Sequence, residues 1–224
     1  NARWQRCGGT WFVGGNALPN AADGSVAGGS PLAGQALDFI RRDLCWNDFD
    51  WDRAQVSVVY PGYPIRMDSE SDAAFRYRRQ RDAAHVDGVL PEGPNRHRFL
   101  RSYHRFILGI PLTEVGHGNS PLVVWERSHE RVRRTLRERF AGQQPAEWER
   151  DDITDLYRRM REEIFATCRR NELTAQPGEA WLVHRHALHG IAPWSDGETA
   201  SATPRTIVYF RPEFARPQEW LSER

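Results

Sequence analysis

The residues His85, Val86 and Asp87 place an imidazole and a carboxylate two positions apart. On an extended chain, positions i and i+2 point to the same face, so both side chains can reach one ion. A further histidine, His189, stands much later in the chain beside Gly190, at the end of a predicted strand. Two histidines and one carboxylate are the facial set that binds iron(II) and leaves the opposite positions open. We therefore predict His85, Asp87 and His189 as metal ligands and as the catalytic centre.

Two arginines near the end of the chain could complete such a site. The segment 205–211 (RTIVYFR) is a predicted strand, in which alternation places Arg205, Ile207, Tyr209 and Arg211 on one face. A guanidinium is a planar two-pronged donor that suits carboxylates. Arg205 is the predicted anchor for the far end of a dicarboxylate beside the metal, and Arg211 is the alternative.

Other histidines compete for the same role. His184 and His186 share one face of the predicted strand 179–186, so either could be the ligand in place of His189 if the register differs. His129 follows Ser128 in a turn, where a structural hydrogen-bonding role is expected. The remaining histidines have no partner pattern and are predicted to lie at the surface or behind the ligands: His97, His104 and His117.

Composition excludes several classes of protein. All 31 basic residues of the 224 are arginine, so there is no lysine for a Schiff base, a pyridoxal-phosphate enzyme or a phosphate-binding Gly-Lys-Ser/Thr loop. The formal net charge of +1 argues against a dedicated nucleic-acid binder. No apolar run reaches the roughly 20 residues that a membrane-spanning helix needs.

Cysteine usage bears on the compartment. Cys7, Cys45 and Cys168 are odd in number and far apart, which disfavours a disulfide framework and favours a reducing environment. The chain begins at Asn1 without a charged-then-apolar leader. We predict a cytoplasmic protein.

The elements that must position these residues are short strands with helices between them. Residues 1–35 are rich in glycine and predicted to be irregular apart from a strand at 11–13. Apolar spacing predicts helices at 34–44, 128–140 and 146–171, and strands at 55–60, 105–112, 122–126, 179–186 and 205–211. Strands without a repeating β-α rhythm indicate a sheet sandwich or barrel with helical additions, in a single domain spanning 1–224.

Four segments carry a resemblance to a known family: HVDG at 85–88, FILGIPLTEVGHGNSPLVVWERSHE at 106–130, LVHRHALHGIAPW at 182–194 and TPRTIVYFRPE at 203–213. Together they resemble the phytanoyl-CoA dioxygenase (PhyH) family of Fe(II)- and 2-oxoglutarate-dependent oxygenases, over about residues 55–212. The resemblance implies a mainly β fold, a double-stranded β-helix (jelly roll, cupin-like) core with flanking α-helices and a helical insertion at about 128–172. Here the loop SDGETASAT lengthens the spacing between His189 and Arg205.

The same resemblance implies a function. Iron(II) would be held by His85, Asp87 and His189, and Arg205 would form a salt bridge with the distal carboxylate of 2-oxoglutarate. Dioxygen and 2-oxoglutarate would be consumed to give succinate and CO2 while a small-molecule substrate is hydroxylated. The alternative is a metal-binding jelly-roll protein that is non-catalytic or works without 2-oxoglutarate.

The arginine runs at 76–81 and 131–139 are expected to be mostly solvated faces. Four arginines lie close in sequence to the predicted ligands and are the candidates for contacting an acidic substrate: Arg76, Arg78, Arg98 and Arg101.

Overall fold

The computed structural model of the chain describes residues 2–195 and 203–222. The strands of this part are β1 (Gln5–Arg6), β2 (Trp11–Gly14), β3 (Gln55–Val59), β4 (Val89–Glu92), β5 (His97–Leu100), β6 (Phe106–Pro111), β7 (Leu122–Trp125), β8 (Arg170–Leu173), β9 (Trp181–His184), β10 (His189–Ile191) and β11 (Arg205–Phe210). Its α-helices are α1 (Gln35–Arg42), α2 (Asp72–Gln80), α3 (Ser128–Arg139), α4 (Pro145–Trp148) and α5 (Thr154–Thr167). Short 3-10 helices cover Ala2–Trp4, Cys7–Gly9 and Pro217–Leu221.

The strands form two larger sheets and a hairpin. Six antiparallel strands lie in the order β1-β2-β3-β11-β6-β9, three more in the order β10-β7-β8, and β4 pairs with β5. Between β11 and β3, Ile207 lies opposite Ser57 and Tyr209 opposite Gln55. Opposite residues share a face, so the alternation predicted for 205–211 extends onto β3.

The core lies on both faces of the six-stranded sheet. On one face Ile107 and Ile207 pack with Leu122 of the smaller sheet, which brings the two sheets together. On the other face the alternate residues of β6 and β11 pack against α1 through Leu37 and Ile40. The prediction of a β-sheet core with flanking helices is confirmed.

The helical region between β7 and β8 packs on the smaller sheet. α3 buries Val132 and Leu136, and α5 buries Tyr157, Met160 and Ile164. These residues are spaced three or four apart, so they form one apolar stripe on each helix. They join a cluster with Val123 and Trp125 of β7.

Several predicted boundaries are wrong. The helix predicted over 146–171 is broken after Trp148 because the backbone N–H of Ile153 donates to the carbonyl of Arg98 (3.0 Å) and Asp152 accepts from the Thr154 N–H (2.9 Å). Its predicted end instead belongs to strand β8. The helix predicted over 34–44 ends at Arg42, before Leu44.

The strand predicted over 179–186 ends at His184, where the Ala187 N–H donates to the His184 carbonyl (2.8 Å) in a turn. His189 consequently begins β10 and does not end a strand.

The three cysteines are free thiols. None of the helices in the described ranges has both the length and the apolar character that crossing a bilayer requires. Residues 196–202, most of the loop that lengthens the spacing from His189 to Arg205, lie outside the described part.

Candidate metal centre

His85 and His189 face each other across an isolated antiparallel bridge. The His85 N–H donates to the His189 carbonyl (2.8 Å) and the His189 N–H to the His85 carbonyl (3.0 Å). Asp87 Oδ1 lies 3.3 Å from His85 Nε2 and 3.7 Å from His189 Nε2. One ligand atom from each residue lies within 4.8 Å of the other two. The structure thus brings the three predicted ligands together, in an arrangement that could hold a metal ion.

Both imidazole rings are oriented by backbone carbonyls. His85 Nδ1 lies 3.1 Å from the Ala83 oxygen, and His189 Nδ1 lies 2.9 Å from the Ala187 oxygen. A carbonyl only accepts, so each Nδ1 carries the proton and donates it. Each Nε2 then keeps its lone pair on the side of Asp87, as a metal ligand requires.

The charge state of the group also suits a cation. Burial lowers the pKa of His189 to about 4, so the His189 ring is neutral at neutral pH. Burial opposes ionisation of Asp87, but its contact with the His85 ring and the positive charge of Arg211 hold the pKa of that carboxyl well below its usual range. A neutral imidazole and an ionised carboxylate are the forms that bind metals.

Two glycines let the backbone pass close behind the ligands. A Cβ on Gly190 would lie 2.1 Å from the Asp82 carbonyl oxygen, and one on Gly88 would lie 2.3 Å from the Ser102 oxygen. Gly88 also has a φ of +87°, in the left-handed region that side chains disfavour. The glycines after His189 and Asp87 are therefore a packing requirement of the site.

A cavity of about 180 Å³ adjoins the three ligands. Its walls are mostly apolar and come from both sheets, with Ile107 and Tyr209 on one side and Leu122 on the other. Among the aromatic residues near the site, Tyr209 lines the cavity, whereas Trp181 packs between the sheets and Trp194 packs with Tyr63.

Arg211 stands at the metal end of this cavity. Its NH1 lies 3.5 Å from Asp87 Oδ2, and its NH2 donates to Gln55 Oε1 (2.9 Å). The Arg211 guanidinium is therefore already in contact with two side chains of the protein, those of Asp87 and Gln55. Sequence reasoning missed Gln55, although a polar residue that alternates with Ser57 at the start of an apolar strand was a usable signal.

Arg205 lies at the opposite end of the same strand face and is fully buried. Its NH2 donates to the Tyr209 hydroxyl (2.8 Å), but Nε and NH1 have no hydrogen-bond partner among the described residues. A buried charge with unpaired donors is costly unless another group satisfies it. The hydrogen bond to Tyr209 links Arg205 to the cavity beside the metal ligands, because Tyr209 lines that cavity.

The competing histidines lie elsewhere. The His184 ring contacts that of His129, with centroids 4.6 Å apart, and the His186 ring contacts Trp220 at 4.4 Å. Neither belongs to the group that could hold a metal. His97 and His117 are exposed and pair with Asp152 and Glu172, which confirms the predicted surface position.

No family model and no curated protein matches the sequence. Similar solved structures include SnoK, a non-heme alpha ketoglutarate dependent carbocyclase from nogalamycin biosynthesis, with 15% identity and a TM-score of 0.43 over 73% of this chain and 51% of that one. HygX from Streptomyces hygroscopicus with nickel and 2-oxoglutarate bound has 13% identity and a TM-score of 0.35 over 72% and 55%. EctD from S. alaskensis with 2-oxoglutarate and 5-hydroxyectoine has 17% identity and a TM-score of 0.34 over 76% and 51%.

These three solved structures are described as alpha ketoglutarate dependent or as holding 2-oxoglutarate, the co-substrate of the family that the sequence resembles. The chain spans about half the length of these solved structures.

Proposed function

We propose that this chain is an Fe(II)- and 2-oxoglutarate-dependent dioxygenase that hydroxylates a small molecule inside a double-stranded β-helix. One observation carries the proposal: His85, Asp87 and His189 line a cavity together with Tyr209, whose hydroxyl accepts from the buried Arg205. Nε and NH1 of Arg205 have no hydrogen-bond partner among the described residues. A metal ion would complete the His-Asp-His group, and a dicarboxylate would supply acceptors for the two donors of Arg205. The apolar interface between the two sheets supports the β-helix.

In this proposal His85, Asp87 and His189 hold the iron, which together with 2-oxoglutarate and dioxygen supplies the oxidising power for hydroxylation. Arg205 binds the distal carboxylate through Nε and NH1, while the Tyr209 hydroxyl fixes the guanidinium by accepting from NH2. We assign the anchor to Arg205 and not to Arg211, because the guanidinium of Arg211 already contacts Asp87 and Gln55.

Arg211 has a different role, as a positioning residue. It contacts Asp87 Oδ2 at 3.5 Å, while Asp87 Oδ1 faces the Nε2 atoms of both histidines. Arg211 thereby directs one carboxylate oxygen to the metal and keeps the second away from it. The cavity walls beside these groups are mostly apolar and offer few hydrogen-bond partners to water.

Turnover tests the proposal directly. After anaerobic loading with Fe(II), the protein should convert 2-oxoglutarate to succinate on exposure to air, and Fe(II) with 2-oxoglutarate should raise its melting temperature. The His85→Ala variant should show neither effect. An intact fold with no melting shift and no succinate would refute the proposal, and metal binding without any effect of 2-oxoglutarate would favour the metal-binding jelly-roll alternative.

A further inference from the structure

A second cavity, of about 430 Å³, opens on the other side of His85. It shares His85, Trp11 and Ile191 with the cavity beside the metal ligands. The side chain of His85 is 45% exposed, against 9% for Asp87 and His189, so the metal group is open toward this side. A molecule bound in the second cavity would therefore lie next to the metal centre.

The walls of this cavity carry uncompensated positive charge. Arg78 is paired with Glu70 (2.8 Å), and Asp82, the acidic residue of the lining, is paired with Arg170 (2.8 Å). The remaining charged side chains of the lining, apart from His85, are Arg96, Arg98 and Arg161, which we call the arginine groove. Within the described ranges, none of these three forms an ion pair with a carboxylate.

The three arginines are close enough to influence one another. Burial lowers the pKa of Arg98, and the charges of Arg161 and Arg96 lower it further. Like charges held together without an anion destabilise each other, so this arrangement favours binding of a negative group.

Arg161 is held in place for such contact. Its guanidinium lies 4.5 Å from the ring centroid of Tyr157 and 5.0 Å from that of Tyr77, and its NH1 donates to the Tyr77 hydroxyl (2.6 Å). Its Nε is buried and has no partner among the described residues. Stacking on two rings fixes the guanidinium, so less conformational freedom is lost when it binds an oxyanion.

We propose that the arginine groove binds a small-molecule substrate through an oxyanion group, with a doubly charged phosphate as the best match to three guanidinium groups. The identification of the bound molecule as the substrate rests on the proposed function. Of the three proposed metal ligands, only His85 lines the groove cavity. The volume suits a small metabolite and not a polymer. The phosphate enters the arginine groove and the remainder of the molecule extends past His85.

Three ligands of similar size test the groove: phenyl phosphate, benzoate and benzyl alcohol, titrated calorimetrically into the full chain, first metal-free and then loaded with Ni(II) and 2-oxoglutarate. Phenyl phosphate should bind in both states, more tightly than benzoate, and benzyl alcohol should not bind measurably. Arg161→Gln and Arg98→Gln should each weaken phenyl phosphate by about tenfold or more, since each removes charge-assisted hydrogen bonds.

Arg159→Gln is the matched control, because it removes the same charge from an exposed position on the same helix, and it should bind within about twofold of the unchanged protein. Arg96→Gln, on an exposed turn, tests the groove without touching packed residues. If it and Arg161→Gln both bind phenyl phosphate as the unchanged protein does, the inference is overturned. Tighter binding of benzoate than of phenyl phosphate would overturn the assignment to phosphate.

The metal-free titration separates this inference from the function on which it rests. Phenyl phosphate binding that depends on the arginines, with no response to iron and 2-oxoglutarate, would support the groove and refute the dioxygenase. A normal response to iron and 2-oxoglutarate with no phenyl phosphate binding would refute the groove alone.

Discussion

Two groups of histidines in this molecule have the same spacing but different surroundings. The rings of His85 and His189 have centroids 4.6 Å apart, and so do those of His129 and His184, with His186 a further 5.4 Å from His184. By proximity alone, either group would be a metal candidate. The first is the metal group proposed above, and the second we call the rear histidine group.

The surroundings decide between the two. In the metal group, carbonyls fix both Nδ1 atoms and Asp87 supplies negative charge. In the rear group, His184 Nδ1 accepts from the His186 N–H (3.0 Å), which uses one lone pair. Burial, then the charge of Arg185, lowers the pKa values of His184 and His186. A cation there would meet the positive charge of Arg185, and no carboxylate of the described residues joins these histidines in a group that could hold a metal. Histidine proximity is therefore not sufficient for a metal site.

The largest expected effect separates the two groups by metal affinity. His189→Ala should weaken Fe(II) or Ni(II) binding by more than about a hundredfold. This is a larger loss than is typical for a residue that only hydrogen-bonds to a metal ligand. His186→Phe, which alters the rear group at similar volume, should leave the affinity within about twofold. Calorimetric titration with Ni(II) measures both, and equal losses in the two variants would contradict the distinction.

The second effect concerns the buried arginine near each group. Arg185 donates to the carbonyls of Trp220 (2.8 Å) and Ser222 (3.1 Å), whereas Nε and NH1 of Arg205 have no partner in the described part of the chain. Arg205→Met should therefore reduce 2-oxoglutarate affinity by about a hundredfold while leaving Ni(II) affinity unchanged, because a two-pronged ionic contact is lost.

The stability of the Arg205→Met variant provides a second check. Without ligand its free energy of unfolding should stay within about 1 kcal/mol of the unchanged protein, since an uncompensated buried charge is replaced by an apolar side chain. Exposed Arg134→Met is the control for loss of charge. Undiminished 2-oxoglutarate binding in Arg205→Met would transfer the anchor role to Arg211.

A third effect tests the backbone behind the metal group. Gly190→Ala should lower the free energy of unfolding by about 2 kcal/mol, because its Cβ would meet the Asp82 carbonyl at 2.1 Å, and should also weaken metal binding by shifting His189. Gly116→Ala is the matched control, since nothing lies within 4 Å of its Cβ. Urea unfolding of the two variants should differ, and equal midpoints would contradict the close approach.

The smallest effect is the pH dependence of stability that the rear group contributes. Burial lowers the pKa of His184 to about 3 from an ordinary 6.5. Between these values the unfolded chain binds a proton that the folded chain does not, so stability is greatest above pH 6.5 and falls as the pH drops. His186, fully buried, acts in the same direction.

Each such histidine contributes on the order of 1 kcal/mol per pH unit. Urea midpoints at pH 7.5 and 5.5 should therefore differ less in His186→Phe than in the unchanged protein. His189 is present in both proteins, so its pH dependence is the same in both. An unchanged difference would show that His186 is not held neutral by the fold.

Much of this site was predictable because it rests on local signals. The i, i+2 spacing of His85 and Asp87 and the alternation along 205–211 are properties of the extended chain, and both are found in the structure. The hydrogen bond that engages Arg211 was not predictable, since its partner Gln55 is distant in sequence. The preference for Arg205 over Arg211 stays a prediction.

The missed elements depend on distant partners as well. Strand β8 has the polar sequence RNEL, which alone does not predict a strand, and it forms because β7 lies alongside. Of the arginines expected to contact an acidic substrate, Arg98 lies in the arginine groove, Arg78 lines the cavity but pairs with Glu70, Arg101 pairs with Glu92 and Arg76 is exposed. Arg161 was missed because only the packing of α5 brings it near His85.

A crystal structure with Ni(II) and 2-oxoglutarate tests the central claim most directly. We expect the metal about 2.0 to 2.2 Å from His85 Nε2, His189 Nε2 and Asp87 Oδ1, with the distal carboxylate of 2-oxoglutarate on Nε and NH1 of Arg205. Metal bound at the rear histidine group, or 2-oxoglutarate held by Arg211 while Arg205 stays unpaired, would contradict the account.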